Sequence, residues 1–225
     1  MRSKADSSFL TANPRQLFTE RYGEYERFIT LMRYSVGLRA YFSVSPLLRP
    51  DLRVLDAGCG TGAVMLALRE ALMRRKYQLR ALHGFDLTLA MLDHLRDTLA
   101  QRGILDVELQ QANVLGLDGL PRSWTDYDLI VSASMLEYVE RNHFVDALKA
   151  LRARLSPNGI IVVFMTRRNF CTRLLVGYWW KSNLYTRLEL TESFQQAGFS
   201  RIDFGTFPSA ARYMSVWGHI VEARR

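Results

Sequence analysis

The 225-residue sequence predicts an α/β domain: a doubly wound, mostly parallel seven-stranded sheet with helices on both faces and an N-terminal helical lid. Three observations predict it. From Leu52 onward, short apolar runs alternate with stretches whose apolar residues recur every three or four positions, the pattern of strand–helix–strand units. The first run (Leu52, Val54, Leu55) ends on Asp56 and turns at once through Gly58, Gly60 and Gly62. The second run also ends on a carboxylate, Asp86. The length allows one well-buried domain with a small appendage.

The elements follow in order. Residues 1–12 are polar, and Asn13-Pro14 starts a helix with a capping side chain followed by proline at the first helical position. Phe18, Tyr22, Tyr25, Ile29, Met32 and Val36 then give one apolar stripe, which ends near Pro46 and Pro50. This sets a lid at 1–50 against a sheet domain at 51–225, a single domain in all. Val64, Met65, Leu68 and Leu72 mark the first helix of the sheet domain, closed by Arg74, Arg75 and Lys76, where cations complement the helix dipole. Leu79–Asp86 is the second strand, and Thr88 caps a helix with Leu89, Met91, Leu92, Leu95 and Leu99 inward until Gly103 stops it. Leu105–Gln111 alternates as the third strand and Tyr127–Ala133 is the fourth. A helix carrying Phe144, Val145, Leu148, Leu151 and Leu155 leads to the turn Ser156-Pro157-Asn158-Gly159 and a fifth strand, Ile160–Phe164. A helix near Thr191–Ala197 and strands at Arg201–Phe207 and Ser215–Ala223 complete the chain.

A strand, a glycine turn and a helix let a nucleoside cofactor lie against bare backbone. The dinucleotide fingerprint is G-x-G-x-x-G, which presents a helix N-terminus to a pyrophosphate. Here the glycines read G-x-G-x-G, with Asp56 two residues before the first. A carboxylate repels phosphate and attracts the ammonium of an amino acid. Asp86, at the tip of the second strand, can accept hydrogen bonds from both hydroxyls of a ribose. Asn113 can hydrogen-bond an adenine amino group, and Ser132 to Ser134 end the fourth strand at the same sheet edge.

Val54-Leu55-Asp56-x-Gly58-x-Gly60-x-Gly62 resembles the first motif of the class I S-adenosylmethionine-dependent methyltransferases. The resemblance covers roughly residues 50–165. Tyr127-Asp128-Leu129-Ile130 with Leu136-Glu137-Tyr138 is similar to the family's fourth motif and its sequel, and Leu155–Gly159 to the turn before strand five. The resemblance implies a Rossmann-like fold and S-adenosyl-L-methionine as cofactor. It implies that Asp56, Ala57, Gly58, Cys59, Gly60 and Gly62 hold the methionine moiety. Asp86 with Leu87 would bind the ribose, and Asn113 with Ala112 or Val114 the adenine. Ser132 to Ser134 would lie beside the sulfonium.

Composition narrows the partners. A net charge of +8 raises nucleic acid or an anionic membrane, but the cations close helices and fill solvent faces, the reading of a solvated basic surface. No Asn/Asp-Pro-Pro-Tyr/Phe motif for base amines is present, which disfavours a nucleic-acid methyltransferase; the glycine spacing disfavours an NAD-dependent oxidoreductase. A non-catalytic protein that kept the cofactor fold is disfavoured by the intact acids. Cys59 and Cys171 form no disulfide framework, and Cys59 lacks the Pro-Cys or Thr-Cys context of a nucleophile. The histidines have no ligand spacing, so no metal is expected. The first residues lack the apolar core of a secretory signal, and no apolar run reaches the roughly 20 residues that span a bilayer. The expectation is a cytoplasmic protein. No sequence feature sets an oligomeric state.

Methyl transfer from a sulfonium needs alignment and exclusion of water; a base is needed only for a protonated acceptor. Glu137, His143 and Tyr22 or Tyr25 are the candidate bases. The segments outside the sheet are aromatic: Tyr22, Tyr25, Phe28, Tyr34, Tyr41 and Phe42, then Phe170, Tyr178, Trp179, Trp180 and Tyr185. Such an enclosure suits a small aromatic, phenolic or polyketide-like acceptor, methylated on oxygen or carbon. In 166–187, Arg167, Arg168, Arg173, Lys181 and Arg187 flank leucines and tryptophans, the composition of a segment lying on anionic lipid. Peripheral contact at the inner membrane face is the expectation there, as in quinone-biosynthesis methyltransferases, which the chain resembles in outline.

Overall fold

A computed structural model describes residues 33–169 and 182–225. The apolar runs form strands β1 (Leu52–Ala57), β2 (Leu79–Asp86), β3 (Val107–Gln111), β4 (Tyr127–Ala133), β5 (Leu155–Thr166), β6 (Arg201–Gly205) and β7 (Gly218–Arg224). Helices α1 (Tyr34–Val44), α2 (Ala63–Arg74), α3 (Leu89–Gln101), α4 (Phe144–Arg154), α5 (Arg187–Gln196) and the single turn α6 (Met214–Trp217) connect or flank them. The strands make one seven-stranded sheet in the order β3-β2-β1-β4-β5-β7-β6. All neighbours pair in parallel except β7, which runs antiparallel to both β5 and β6. Strand order reverses between β1 and β4, the place where open sheets of this kind accept ligands at their C-terminal edge.

Alternation along each strand divides the core into two layers. Leu55 and Ala57 of β1, Ile130 of β4 and Ile161 and Val163 of β5 face α4 and α5. Their neighbours Val54, Leu129, Val131, Val162 and Phe164 face α1, α2 and α3. Helix α1 is fastened to this second layer. The Tyr41 hydroxyl donates to Glu222 Oε1 at 2.8 Å, and Gly37 packs so closely that a Cβ would lie 3.1 Å from Met214. The last carbonyls of a helix lack intrahelical donors. Those of Phe42 and Ser43, with Ser45 and Leu48 beyond, accept from the Arg75 guanidinium. Arg53 and Arg154 likewise donate to loop carbonyls, Arg53 at Thr125 and Arg154 at Leu117 and Trp124. These three cations bind the fold together.

Several boundaries differ from the sequence expectation, each for a local reason. β3 starts at Val107, because Leu105 projects into solvent at 89% exposure. The turn Ser156–Gly159 is absorbed into β5 as an irregularity: Tyr127 pairs with Leu155, yet Leu129 pairs with Ile160. Gly159 permits this, since a Cβ there would stand 2.6 Å from the Tyr127 carbonyl oxygen. Helix α5 begins at Arg187 rather than Thr191, because Thr186 and Glu189 form a reciprocal capping box. β6 ends at Gly205, and β7 is delayed to Gly218 by the turn α6. Thr88 stands at the N-cap of α3 without a side-chain capping bond. Residues 13–32 of the expected lid lie outside the described residues.

Candidate active site

The turn after β1 is built by three left-handed residues, with φ of 75° at Gly58, 49° at Gly60 and 90° at Gly62. A Cβ would strike Met135 at 2.3 Å from Gly58 and Leu95 at 2.4 Å from Gly62. At Gly60 no atom lies within 4 Å of that position, so bare backbone faces a cavity. The Phe85 carbonyl accepts from the amides of both Gly58 and Cys59 at 2.9 Å, which binds the turn to the end of β2.

The cavity has a volume of about 590 Å³, within the range of small-molecule sites. Its lining includes Gly58–Thr61, Asp86–Thr88 and Ala112–Leu115. Asp86 Oδ2 accepts from the Gly60 amide and Oδ1 from the Thr88 amide, both at 2.9 Å. Burial pushes this carboxyl above its ordinary value, and the amides of Thr88, Gly60 and Leu87 oppose the shift. Each oxygen keeps acceptor capacity for a hydroxyl. Asn113 Oδ1 accepts from the Leu115 amide at 3.0 Å in a tight turn that also bonds Gly116 N–H to the Asn113 carbonyl. That bond leaves Oδ1 a second lone pair, and the side-chain NH₂ as well, for a ligand.

Asp56 lies beneath the turn, 1% exposed, and does not line the cavity. Among the described residues, neither of its oxygens has a hydrogen-bond donor. Burial, reinforced by the Asp86 charge, pushes it up to about 8; the nearby Met65 amide opposes this without reaching hydrogen-bond geometry. Asp56 can act on an ammonium in the cavity through its field, which low dielectric strengthens. Ala57 is fully buried, and neither it nor Gly62 lines the cavity. The Cys59 thiol does line it, pushed far up by burial and by Asp56 and Asp86, so it stays protonated.

The same cavity is also lined by Tyr34, Ala133–Met135, Tyr138–Glu140 and His143, with Met135 packed against Gly58. Ser134 Oγ donates to the Tyr34 hydroxyl at 3.1 Å. Of the candidate bases, His143 reaches the cavity, with Nδ1 3.8 Å from Asp146 Oδ2. Glu137 does not. It is 2% exposed and accepts from the Thr166 amide at 2.7 Å and the Thr166 hydroxyl at 3.1 Å, although burial raises it to about 7. The acid next to the fourth strand turned inward because two donors at the end of β5 meet it there. Ser132 is also fully buried, its hydroxyl without a partner; the strand's alternation gives the cavity to Ala133 and then Ser134. Tyr22, Tyr25 and the aromatic run 170–180 lie outside the described residues. Tyr34, expected among the aromatics around the acceptor, and Ser134, expected beside the sulfonium, line the cavity, as do Met135 and Thr61, which no local pattern marks.

A cofactor made of a nucleoside and an amino acid fits this cradle, with open backbone at Gly60, a carboxylate at the ribose position and an orphan acid under the turn. The comparisons agree. Residues 54–159 match the methyltransferase domain family. The chain is 30% identical over 122 residues to indolepyruvate C-methyltransferase of Streptomyces griseus, covering 53% of this chain and 34% of that protein. It is 26% identical over 199 residues to the highly reducing polyketide synthase NEC1 of Pyricularia oryzae, covering 78% of this chain and 7% of that protein. The chain thus spans about a third or less of the curated relatives it matches. Magnesium protoporphyrin IX methyltransferase from Synechocystis, solved with bound S-adenosylhomocysteine, superposes with a TM-score of 0.68 at 14% identity, over 98% of this chain and all of that one. Among the described residues no helix is long and apolar enough to cross a membrane. Residues 54–159 thus form a methyltransferase domain, and the chain has the fold of the class I S-adenosylmethionine-dependent methyltransferases.

Proposed function

We propose that this chain transfers a methyl group from S-adenosyl-L-methionine to a small hydrophobic acceptor, aromatic, phenolic or polyketide-like, on oxygen or carbon. The observation that carries this reading is one cavity lined both by a cofactor cradle and by a mixed set of aromatic, apolar and polar side chains. Gly58, Gly60, Asp86, Leu87, Ala112, Asn113 and Val114 are the lining suited to the cofactor. Tyr34, Ser134, Met135, Tyr138, Val139, Glu140 and His143 also line it and are left for the acceptor. Two relatives named for polyketide synthesis and for C-methylation of indolepyruvate support such an acceptor.

The bound cofactor supplies an activated methyl group. Asp86 fixes its ribose, the glycine turn lets it approach, and Asp56 balances its ammonium through the turn. Met135 and Val139 exclude water beside the methyl group, and His143 accepts a proton from an acceptor that arrives protonated. Incubation with radiolabelled methyl donor and a fractionated extract tests the reading: label should enter an apolar small-molecule fraction. Label confined to RNA or to polar amines would overturn it. Peripheral contact with anionic lipid through 166–187 is part of the proposal. Exposed Tyr213 and Val216 support it, beside Arg167, which donates to the Ser215 carbonyl.

A further inference from the structure

We propose that Glu140 makes the cavity selective by charge, admitting uncharged hydrophobic acceptors and rejecting those that carry a carboxylate or phosphate; this rests on the acceptor reading above. The chain as a whole carries a net charge of +8. Yet among the described residues the side chains of the cavity wall that bear a formal charge are two carboxylates, Asp86 and Glu140. A cleft lined by one sign of charge, with low-dielectric walls, focuses its field on whatever enters. The bound cofactor does not cancel it. Its ammonium is matched by Asp56 beneath the turn, and its ribose, at Asp86, is neutral.

Of the two acids, Glu140 is the one left for the acceptor. Asp86 accepts from the Gly60 and Thr88 amides, both at 2.9 Å. The Glu140 side chain does not cap the short turn that follows it, and among the described residues it has no hydrogen bond or ion pair. Its backbone is held on both sides. Asn183 donates its amide to the Glu137 carbonyl at 2.7 Å and its side-chain NH₂ to the Val139 carbonyl at 2.8 Å. The His143 amide donates to the Glu140 carbonyl at 2.9 Å. The adjacent cation is committed elsewhere. Arg141 pairs with Glu189 at 3.4 Å, donates to the Leu184 carbonyl and lies 4.5 Å from the centre of the Tyr185 ring. His143, which also lines the cavity, has its own acid, with Nδ1 3.8 Å from Asp146 Oδ2.

A charge in a cavity wall acts on a ligand through its field and needs no contact with it. Glu140 is exposed, so water and salt screen it and the selectivity is modest. One unit charge repelling another at close range in water is worth about fivefold in affinity. The penalty falls on the part of the acceptor that does not react. An ester, amide or thioester passes where the corresponding free acid is turned away, and specificity arises from repulsion of the wrong ligand.

The test is calorimetry at neutral pH on the full chain saturated with S-adenosylhomocysteine. The probes are two pairs alike in shape, methyl 4-hydroxybenzoate with 4-hydroxybenzoate and methyl phenylpyruvate with phenylpyruvate; the acids are ionised there and the esters are not. In the wild type an ester should bind more tightly than its free acid. Glu140→Gln should strengthen the acid about fivefold and leave the ester unchanged, and Glu140→Lys should strengthen the acid further. Added salt should narrow the gap in the wild type more than in Glu140→Gln. Affinity for S-adenosylhomocysteine should be unchanged in both variants, which also shows that they fold. If acid and ester bind the wild type alike, or if Glu140→Gln leaves the gap as it was, the charge selection falls and the acceptor reading stands. If wild-type protein binds S-adenosylhomocysteine but neither ester, both fall.

Discussion

Asp56 at the tip of β1 and Glu137 just after β4 are buried alike, 1% and 2% exposed, but their surroundings differ. Glu137 accepts from the amide and hydroxyl of Thr166, and the Asn183 amide donates to its carbonyl, so it joins the ends of β4, β5 and the chain before α5. Asp56 has no hydrogen-bond donor among the described residues, the Met65 amide only approaching it. Burial raises both, Asp56 to about 8 and Glu137 to about 7. A satisfied buried acid ties loops together, whereas an orphan one holds its proton until an incoming cation favours the ionised form. The acid with no donor lies under the cofactor turn, and the acid with two donors lies outside the cavity.

The largest effect should come from the cofactor cradle itself. Asp86→Ala removes the acceptor of two turn amides and of the ribose, and should weaken S-adenosylhomocysteine binding by about 10- to 100-fold, from about 1.5–3 kcal/mol per charge-assisted bond. Calorimetry reads this directly, and unchanged affinity would show that the ribose sits elsewhere. Next, Glu137→Ala should cost about 3 kcal/mol of stability in denaturant unfolding, because it leaves buried donors at Thr166 unpaired. Glu137→Gln should restore most of the stability and leave turnover near wild type; a stable Gln variant without activity would return Glu137 to the catalytic step.

A smaller effect concerns pH. A carboxyl whose folded value is raised binds more protons folded than unfolded between the two values, so its contribution to stability falls as pH rises. For Asp56 that window runs from 3.8 to about 8, and for Glu137 from 4.5 to about 7. Melting temperatures of the ligand-free protein should therefore decline from pH 5 to pH 8. Asp56→Asn should flatten part of that slope, and S-adenosylhomocysteine should flatten it in the wild type, since its ammonium favours the ionised acid. An unaltered slope in Asp56→Asn would mean that Asp56 ionises freely. The smallest expected change is at the surface: Val216→Ser should lower binding to anionic vesicles in a flotation assay without altering the fold, because Val216 is 58% exposed.

The strands, the glycine turn and Asp86 were legible because each leaves a short-range mark. Alternation in β4, the left-handed requirement at Gly58, Gly60 and Gly62, and an acid at the strand tip are all local. The capping box at Thr186 and Glu189 was equally local and was passed over. Tyr34 was legible as one aromatic of the acceptor's enclosure, but its bond to Ser134, 100 positions away, depends on the docking of α1. Nor was the inward turn of Glu137, which depends on Thr166 at the end of another strand.

The sequence by itself determined the layered sheet, the cofactor turn and the acids near it, because periodicity and backbone conformational limits act within a few residues. Only the tertiary structure decided which acid is satisfied, which is orphaned, and which hydroxyls meet in the cavity. Those outcomes depend on donors brought from distant strands, and a donor's distance from a carboxylate is fixed by packing.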